Sequence, residues 1–520
     1  MTPRLERMAA ILAVSIVVLE PFLFVGSFAG DAQVHLVFAE NAAHGRFYEF
    51  NPGQRVSGET SPGYMMIGAA LFRLMPARWV PVALKVLGLG AWYLLCWLVY
   101  RVAARRLSAE GDRGRWLPSA AAVTAALIPG SVYNANVGME NGLFAAAVWL
   151  WLDRASAWRW FEPAGVDTQS GATVLRREVA LASLLGIACW LRPEGFVVLA
   201  LAHFLRWKRV RPTTTVAFTG FAVAAALALT SLAFQYLSTG DIVATSILSR
   251  GVLAMKRSLL LGPLRIDPAF AERLLLYLPL TLSAAIGARI TSKERSGLDT
   301  FLICVFATFF LLYTLVSGAA QLARYVIFLM PILALYAVRG TRGVWRQRRP
   351  YRRSIVAVGV AVFIITNVVE LSYRRRHYSQ QLLATAMGAP GRRRARTDDL
   401  LRRLNSSHAP PLVVALEAVQ LRYEVDDRIT VRSLDGRVDR ELFGFIHDGA
   451  VNHFGYLTTV TADALLGTPD YNHREREDSL ASLAGLVPGQ SVVRAGLVFR
   501  RLPSISGFSI SREIELDQRR

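Results

Sequence analysis

The sequence predicts an α-helical polytopic membrane protein of about 11 transmembrane helices with a C-terminal extracytoplasmic α/β domain. Three observations carry that prediction. Of 520 residues, 53% are hydrophobic and only 19% are charged, with mean hydropathy +0.34, against about 25% charged in ordinary soluble domains. The apolar residues gather into runs near the roughly 20 residues needed to cross a bilayer. Beyond Leu371 the pattern changes to that of a small globular unit. A wholly soluble protein is excluded. The formal charge of +21, from 59 Lys+Arg against 38 Asp+Glu, does not indicate nucleic-acid binding, because the cations lie between hydrophobic spans. Cys96, Cys189 and Cys304 each fall inside an apolar stretch, which excludes a disulfide framework or a zinc site.

The first apolar run, Met8 to Ala29, follows the basic residues Arg4 and Arg7. It is long for a signal peptide, contains Glu20-Pro21 and is followed by further spans, so it is expected to be a retained first helix. Later spans are expected at Trp79 to Tyr100, Trp116 to Val132, Gly138 to Leu152, Val179 to Leu191 and Glu194 to Trp207. Five more follow at Thr213 to Leu237, Phe270 to Ile290, Leu298 to Val316, Leu322 to Val338 and Ser354 to Leu371. Pro62 to Met75 is apolar but short, contains Gly63 and Gly68 and ends in Arg73 and Pro76, so it is expected to lie along the outer face. The arginine-rich loops then all fall on one side, among them the clusters around Arg105, Arg177, Arg209, Arg295 and Arg348. The positive-inside rule makes that side cytoplasmic. Asp31 to Met75, Tyr133 to Val137, Ser238 to Ala269 and everything after Leu371 lie opposite.

The chain therefore divides into a transmembrane module, 1–371, whose first extracytoplasmic loop is 30–78, a basic linker, 372–409, and an α/β domain, 410–520. In the last, Leu412 to Leu416 and Ile429 to Leu434 predict strands, Asp439 to His447 a helix start, and Ser491 to Arg500 an alternating strand. Roughly 110 residues are enough for an independent core.

The loop after the first span carries the most chemistry. A carboxylate where a hydrophobic helix meets the outer surface is partly desolvated, so it can act as a base. Asp31 sits there, and helical spacing puts His35 one turn on, with Val34, Val37 and Phe38 against the protein. Asp31 also suits the N-cap of that short helix, and the two roles are compatible.

Asp31, the loop Phe50-Asn51-Pro52-Gly53-Gln54-Arg55-Val56-Ser57-Gly58-Glu59-Thr60-Ser61-Pro62 and the apolar helix after it resemble the GT-C class of membrane glycosyltransferases. More narrowly, they are similar to the branch of actinobacterial cell-wall arabinofuranosyltransferases. The resemblance implies a polyprenyl-phosphate sugar donor and Asp31 as general base. Relatives often carry two adjacent acids there, whereas Gly30 precedes Asp31 in this chain. Val137-Gly138-Met139-Glu140-Asn141 is similar to the branch's G-M-E-T motif, with Asn141 replacing Thr. Glu140 would contact the acceptor or reach the Asp31 site, or else form an interhelical hydrogen bond. Arg192-Pro193-Glu194-Gly195 resembles R-P-E-G, with Arg192 a partner for the donor phosphate or for Glu194. Gln321-Leu322-Ala323-Arg324-Tyr325, completed by Pro331, resembles R-Y-x-x-x-x-x-P and makes Arg324 the better phosphate ligand, with lipid-headgroup snorkelling its alternative.

The implied reaction is an inverting transfer in which Asp31 deprotonates the acceptor hydroxyl and the phosphate leaves under Arg324 and Arg192. Glu140 joins Asp31 as a candidate catalytic acid, and His35, Glu59, Glu194, Gln321 and Tyr325 complete the candidate substrate-contacting set. No metal ligand set and no firm cofactor emerge, although a divalent cation would suit the phosphate. The acceptor would be a cell-envelope glycan or lipid, with membrane lipids as further partners. The outer loop from Ser238 to Ala269 would either cover the site or be merely solvated. A transporter or flippase of lipid-linked sugars would also suit many spans, but repeated halves and matching broken helices are not evident.

Overall fold

The structure, a computed structural model, describes most of residues 11–107, 116–162, 171–210, 214–247, 268–291, 296–316, 327–345, 350–377, 382–404 and 411–433. It also describes strands at 464–466, 491–494, 497–501 and 507–512. The expected first helix is interrupted by a 3-10 turn, Glu20–Phe24. Pro21 lacks the N–H that a continuous α-helix would use.

Helix α1 (Ala32–Ala43), the ribbon β1 (Glu49–Asn51) and β2 (Gln54–Arg55), and helix α2 (Pro62–Leu74) form the first loop. Helices α3 (Val80–Leu107), α4 (Leu117–Leu127), the short α5 (Ser131–Ala135), α6 (Asn141–Ala157), α7 (Gly171–Leu191), α8 (Glu194–Val210) and α9 (Thr214–Thr239) follow. The bundle continues with α10 (Pro268–Thr291), α11 (Gly297–Val316), α12 (Met330–Trp345) and α13 (Pro350–His377). Among the described residues, Ala77–Leu107 and Thr215–Thr239 are long and apolar enough to cross a membrane unaided, and four shorter apolar helices accompany them. Their outward faces carry Phe218, Leu229, Val358 and Ile365, apolar surface that water penalises and hydrocarbon does not.

Helix pairs α3/α6, α7/α9 and α10/α12 pack along their lengths. The last pair meets backbone to backbone, because a Cβ on Gly287 would strike the Tyr336 carbonyl and one on Gly340 the Ser283 carbonyl. Small residues at such a contact let two helices approach closely without a hydrophobic drive between them.

The stretch 372–409, expected as a linker, is helical over most of its length, as the end of α13 and as α14 (Leu382–Arg403). Its basic composition suggests flexibility, yet Ala386, Ala389 and Leu400 are buried along one side, where Arg393 also turns inward to Glu40. Beyond it come β3 (Leu412–Ala415), α15 (Ala418–Glu424), β4 (Thr430–Ser433), β5 (Ala464–Leu466), β6 (Ser491–Arg494), β7 (Leu497–Arg501) and β8 (Gly507–Arg512). They form one mixed sheet in the order β4-β3-β5-β8-β7-β6, with β3 parallel to both neighbours and the other pairs antiparallel. Ser491 to Arg500, expected as one strand, is two, with Arg494 opposite Leu497 in the ladder. Asp439 to His447 lies outside the described residues.

The tail is tied to the first loop by specific bonds. Asn51 donates from Nδ2 to the Val431 carbonyl at 2.8 Å and accepts from the Val431 N–H at 3.0 Å. Its side-chain amide thereby completes the outer edge of β4 as a neighbouring strand would. Arg422 donates to the Phe50 carbonyl at 2.9 Å, and Arg393 holds Glu40 through two bonds of 2.6 Å.

Candidate active site

Asp31 occupies the N-cap position of α1, with dihedrals of −65° and −21°. Its side chain makes no capping hydrogen bond and is half-buried. His35 lies one turn further along the same face, buried, while Val37 and Phe38 pack into the core. His35 reaches two carboxylates at once, Nδ1 at 2.6 Å from Glu59 Oε2 and Nε2 at 2.8 Å from Glu140 Oε2. Donating from both ring nitrogens requires the imidazolium. Burial alone opposes that charge, but the Glu59 and Glu140 carboxylates outweigh it and lift the His35 pKa to about 10. The edge of Tyr64 meets the imidazole face at 4.9 Å between centroids, and its hydroxyl donates to the Gly138 carbonyl at 2.9 Å. Burial first, and then the same two carboxylates, push the Tyr64 phenol well above its usual value, so it remains a donor.

The far oxygens continue the chain. Glu59 Oε1 accepts the Ser61 N–H at 2.7 Å. Glu140 Oε1 accepts from Arg192, which also donates to Asn141 Oδ1 and grips Glu194 through Nε at 3.0 Å and a terminal nitrogen at 2.6 Å. Glu59, His35, Glu140, Arg192 and Glu194 thus form one continuous buried line. It joins the first loop, the turn before α6 and the junction between α7 and α8.

Local sequence explains each position. Gly138 adopts a φ of +79°, and a Cβ there would strike the Phe28 ring. Only glycine fits this turn, which delivers Glu140 to the start of α6. Pro193 follows Arg192 and cannot extend α7, so Arg192 sits where two helices meet. The segment carrying Asp31 is tied to the segment carrying Glu140 by the Ala29 N–H, which donates to the Val137 carbonyl at 3.0 Å. Lys85, buried on α3, reinforces the join by donating to the carbonyls of Phe24 at 3.0 Å, Ser27 at 2.6 Å and Asn136 at 2.6 Å. Lys85 is not among the residues that the motifs single out. The signal was present, since it is the single charge in the span Trp79 to Tyr100.

Of the residues expected at the site, the structure joins His35, Glu59, Glu140, Arg192 and Glu194, with Asp31 on the same face of α1 as His35. Gln321, Arg324 and Tyr325 lie outside the described residues. The Arg192 guanidinium is held by Glu140, Asn141 and Glu194, the last being one of its two expected partners. Contact with a phosphate would require breaking those bonds. From the 238–269 loop, Asp241 accepts a hydrogen bond from the Ser57 hydroxyl at 2.8 Å, and residues 248–267 are outside the description. Among the described residues, no group of three or more His, Cys, Asp or Glu side chains is disposed to hold a metal ion.

No protein-family sequence model and no curated protein sequence matches the chain. Solved structures do. The archaeal oligosaccharyltransferase AglB from Archaeoglobus fulgidus, in complex with an inhibitory peptide and a dolichol-phosphate, superposes with a TM-score of 0.56 at 12% identity, covering 96% of this chain and 74% of that one. An oligosaccharyltransferase of the same organism, in complex with Zn and sulfate, gives 0.53 at 15% identity over 82% of this chain and 62% of that one. The chain thus spans under two thirds of the length of that relative. ArnT from Cupriavidus metallidurans bound to undecaprenyl phosphate gives 0.47 at 12% identity over 93% and 96%. The chain has a largely helical fold like that of the Archaeoglobus fulgidus oligosaccharyltransferase.

Proposed function

We propose that the chain is a multi-pass membrane glycosyltransferase that moves a sugar from a polyprenyl-phosphate donor to a cell-envelope glycan or lipid. The observation that carries this reading is the convergence of the first-loop helix, the Gly138-Met139-Glu140 turn and the Arg192-Pro193-Glu194 junction on one buried polar line. Fold likeness to an enzyme solved with dolichol-phosphate supports a lipid-linked donor. In this proposal about 11 spans place Asp31, the 410–520 domain and the reaction on the extracytoplasmic face, following the loop charges. The transferred sugar is a pentose or hexose, with the arabinofuranosyl branch the nearest by motif.

Asp31 takes the proton from the acceptor hydroxyl as that oxygen attacks the anomeric carbon, and the polyprenyl phosphate departs with the electron pair of the broken glycosidic bond. His35 fixes Glu59 and Glu140, and Arg192 holds Glu140 from its other side. Arg324 is the proposed partner of the departing phosphate, aided by its fixed charge.

The test is release of polyprenyl phosphate by the purified protein in nanodiscs, offered a panel of polyprenyl-phosphate sugars. Release should fall on the order of 10²–10⁴-fold in Asp31→Asn while the fold persists. Undiminished turnover in that variant would sink the assignment of the base.

A further inference from the structure

Helix α14 carries six arginines against two aspartates. Both aspartates are occupied, Asp398 by Arg428 at 2.8 Å and Asp399 by Arg402 at 3.7 Å. Arg393 is turned inward to Glu40. Arg392, Arg394 and Arg396 stay exposed, and none of the three makes an ion pair or side-chain hydrogen bond among the described residues. Helical spacing puts Arg392 and Arg396 on one flank of the outward face and Arg394 on the other, with the exposed Gly391 and Ala395 between them. The result is a flat basic patch in which no bulky side chain holds the guanidiniums away from a surface.

What α14 touches fixes where that patch sits. The Leu383 N–H donates to the Gly26 carbonyl at 3.2 Å, at the outer end of the first apolar run. The helix then packs against the 3-10 turn Ala77–Trp79 and against α3, where the span Ala77–Leu107 begins. Leu74 and Trp79 are exposed there, and the Arg78 guanidinium lies 5.7 Å from the Trp79 ring centroid. An exposed tryptophan beside a cation at the end of a span marks the level of lipid headgroups. Beside the patch itself, Arg393 meets Glu40 on α1, which packs against the apolar helix α2.

The positive-inside rule accounts for the arginines of the cytoplasmic loops. It gives no reason for cations on α14, which the proposed orientation puts on the opposite face. A guanidinium without a protein partner at headgroup level can place two parallel N–H bonds on the free oxygens of a phosphodiester. In a zwitterionic lipid the headgroup's own ammonium competes for that phosphate, whereas a net anionic lipid leaves it open.

We propose that Arg392, Arg394 and Arg396 form a docking surface for anionic phospholipid headgroups. The proposal needs the chain to lie in a membrane but not to be a transferase, so its test reads no turnover.

Full-length protein carrying the photo-cross-linker p-benzoylphenylalanine in place of Ala395 is placed in nanodiscs of equal parts phosphatidylglycerol and phosphatidylcholine, with a soluble uronic-acid oligosaccharide in the buffer. Adducts are identified by mass spectrometry of the digested peptide. The same cross-linker in place of Leu229, exposed midway along α9, reports the bulk lipid ratio. Phosphatidylglycerol should be enriched about fivefold over that ratio beside the patch. The enrichment should vanish in about 0.5 M NaCl and in the triple variant Arg392→Gln, Arg394→Gln, Arg396→Gln. That variant should melt like the wild type, since the three guanidiniums have no protein partner; the salt comparison needs no variant at all. The proposal is overturned if the two positions give the same lipid ratio, if the enrichment survives salt or the triple substitution, or if the patch yields uronic-acid adducts in place of lipid.

Discussion

The two ends of the helical bundle use buried ion pairs for opposite purposes. At the end carrying Asp153, Asp299 and Glu178, cations match or outnumber acids. Asp153 is held by Arg105 at 2.6 Å and Arg101 at 3.1 Å, Asp299 by Arg106 and the Tyr336 hydroxyl, and Glu178 by Arg206 and the Trp160 indole. Each group pins two elements together. At the other end, about 20 Å away along α6 from Asp153 to Glu140, three glutamates share one imidazolium and one guanidinium. An excess of acid is expensive in a buried place, and it persists where chemistry uses it. The same interaction thus fastens elements with balanced charge at one end and gathers an excess of acid at the other.

That contrast can be broken by paired substitutions. Glu178→Gln should cost about 3–5 kcal/mol by leaving Arg206 buried without its partner, read as a lower midpoint of thermal unfolding, with turnover per folded molecule unchanged. Glu140→Gln should reverse the pattern, lowering turnover roughly 10–100-fold through lost alignment. Equal effects of the two on turnover would dissolve the distinction.

Lys85→Met tests whether the end with excess acid depends on its backbone join. Three carbonyls lose their donor, at about 1–3 kcal/mol for unsatisfied polar groups, and turnover should fall about tenfold as the Asp31 and Glu140 segments drift apart. Wild-type kinetics in a variant that still folds would show the join to be dispensable.

The pH dependence should separate the two ends further. Because folding raises the His35 pKa from 6.5 to about 10, its contribution to stability is fully present below pH 6.5 and is lost as pH rises toward 10. Unfolding midpoints measured across that window should decline in the wild type, and the slope should be shallower in His35→Gln. The smallest effect is expected at Asn51→Ala, about 1–2 kcal/mol from the two lost bonds to Val431 and the one to Gln54. It should appear as faster amide exchange at Val431 with little change in turnover.

Much of the candidate site was legible from the chain. Asp31, His35, Glu140, Arg192 and Glu194 stand at helix ends, where a polar residue beside an apolar run signals a surface or a cavity, and helical spacing alone set His35 one turn from Asp31. Glu59 was visible only as one acid within a loop. Its bond to His35 spans 24 residues and depends on how the loop folds back. Lys85 stood out as the one charge in its span, but a lone cation gives no hint of which carbonyls will surround it.

Composition and hydrophobic run length determined the largely helical, apolar character of the chain, because burying apolar surface depends on local patterning that any reader of the chain can count. Tertiary structure decided the rest. Asn51 belongs to the most motif-like stretch of the first loop, yet its described bonds hold the edge of a strand 380 residues away. The basic stretch before the tail became a helix because its few apolar residues found a surface to cover. Arg192 turned toward carboxylates because Glu140 and Glu194 reach it first. Each outcome rests on contacts between distant segments, which no local pattern encodes.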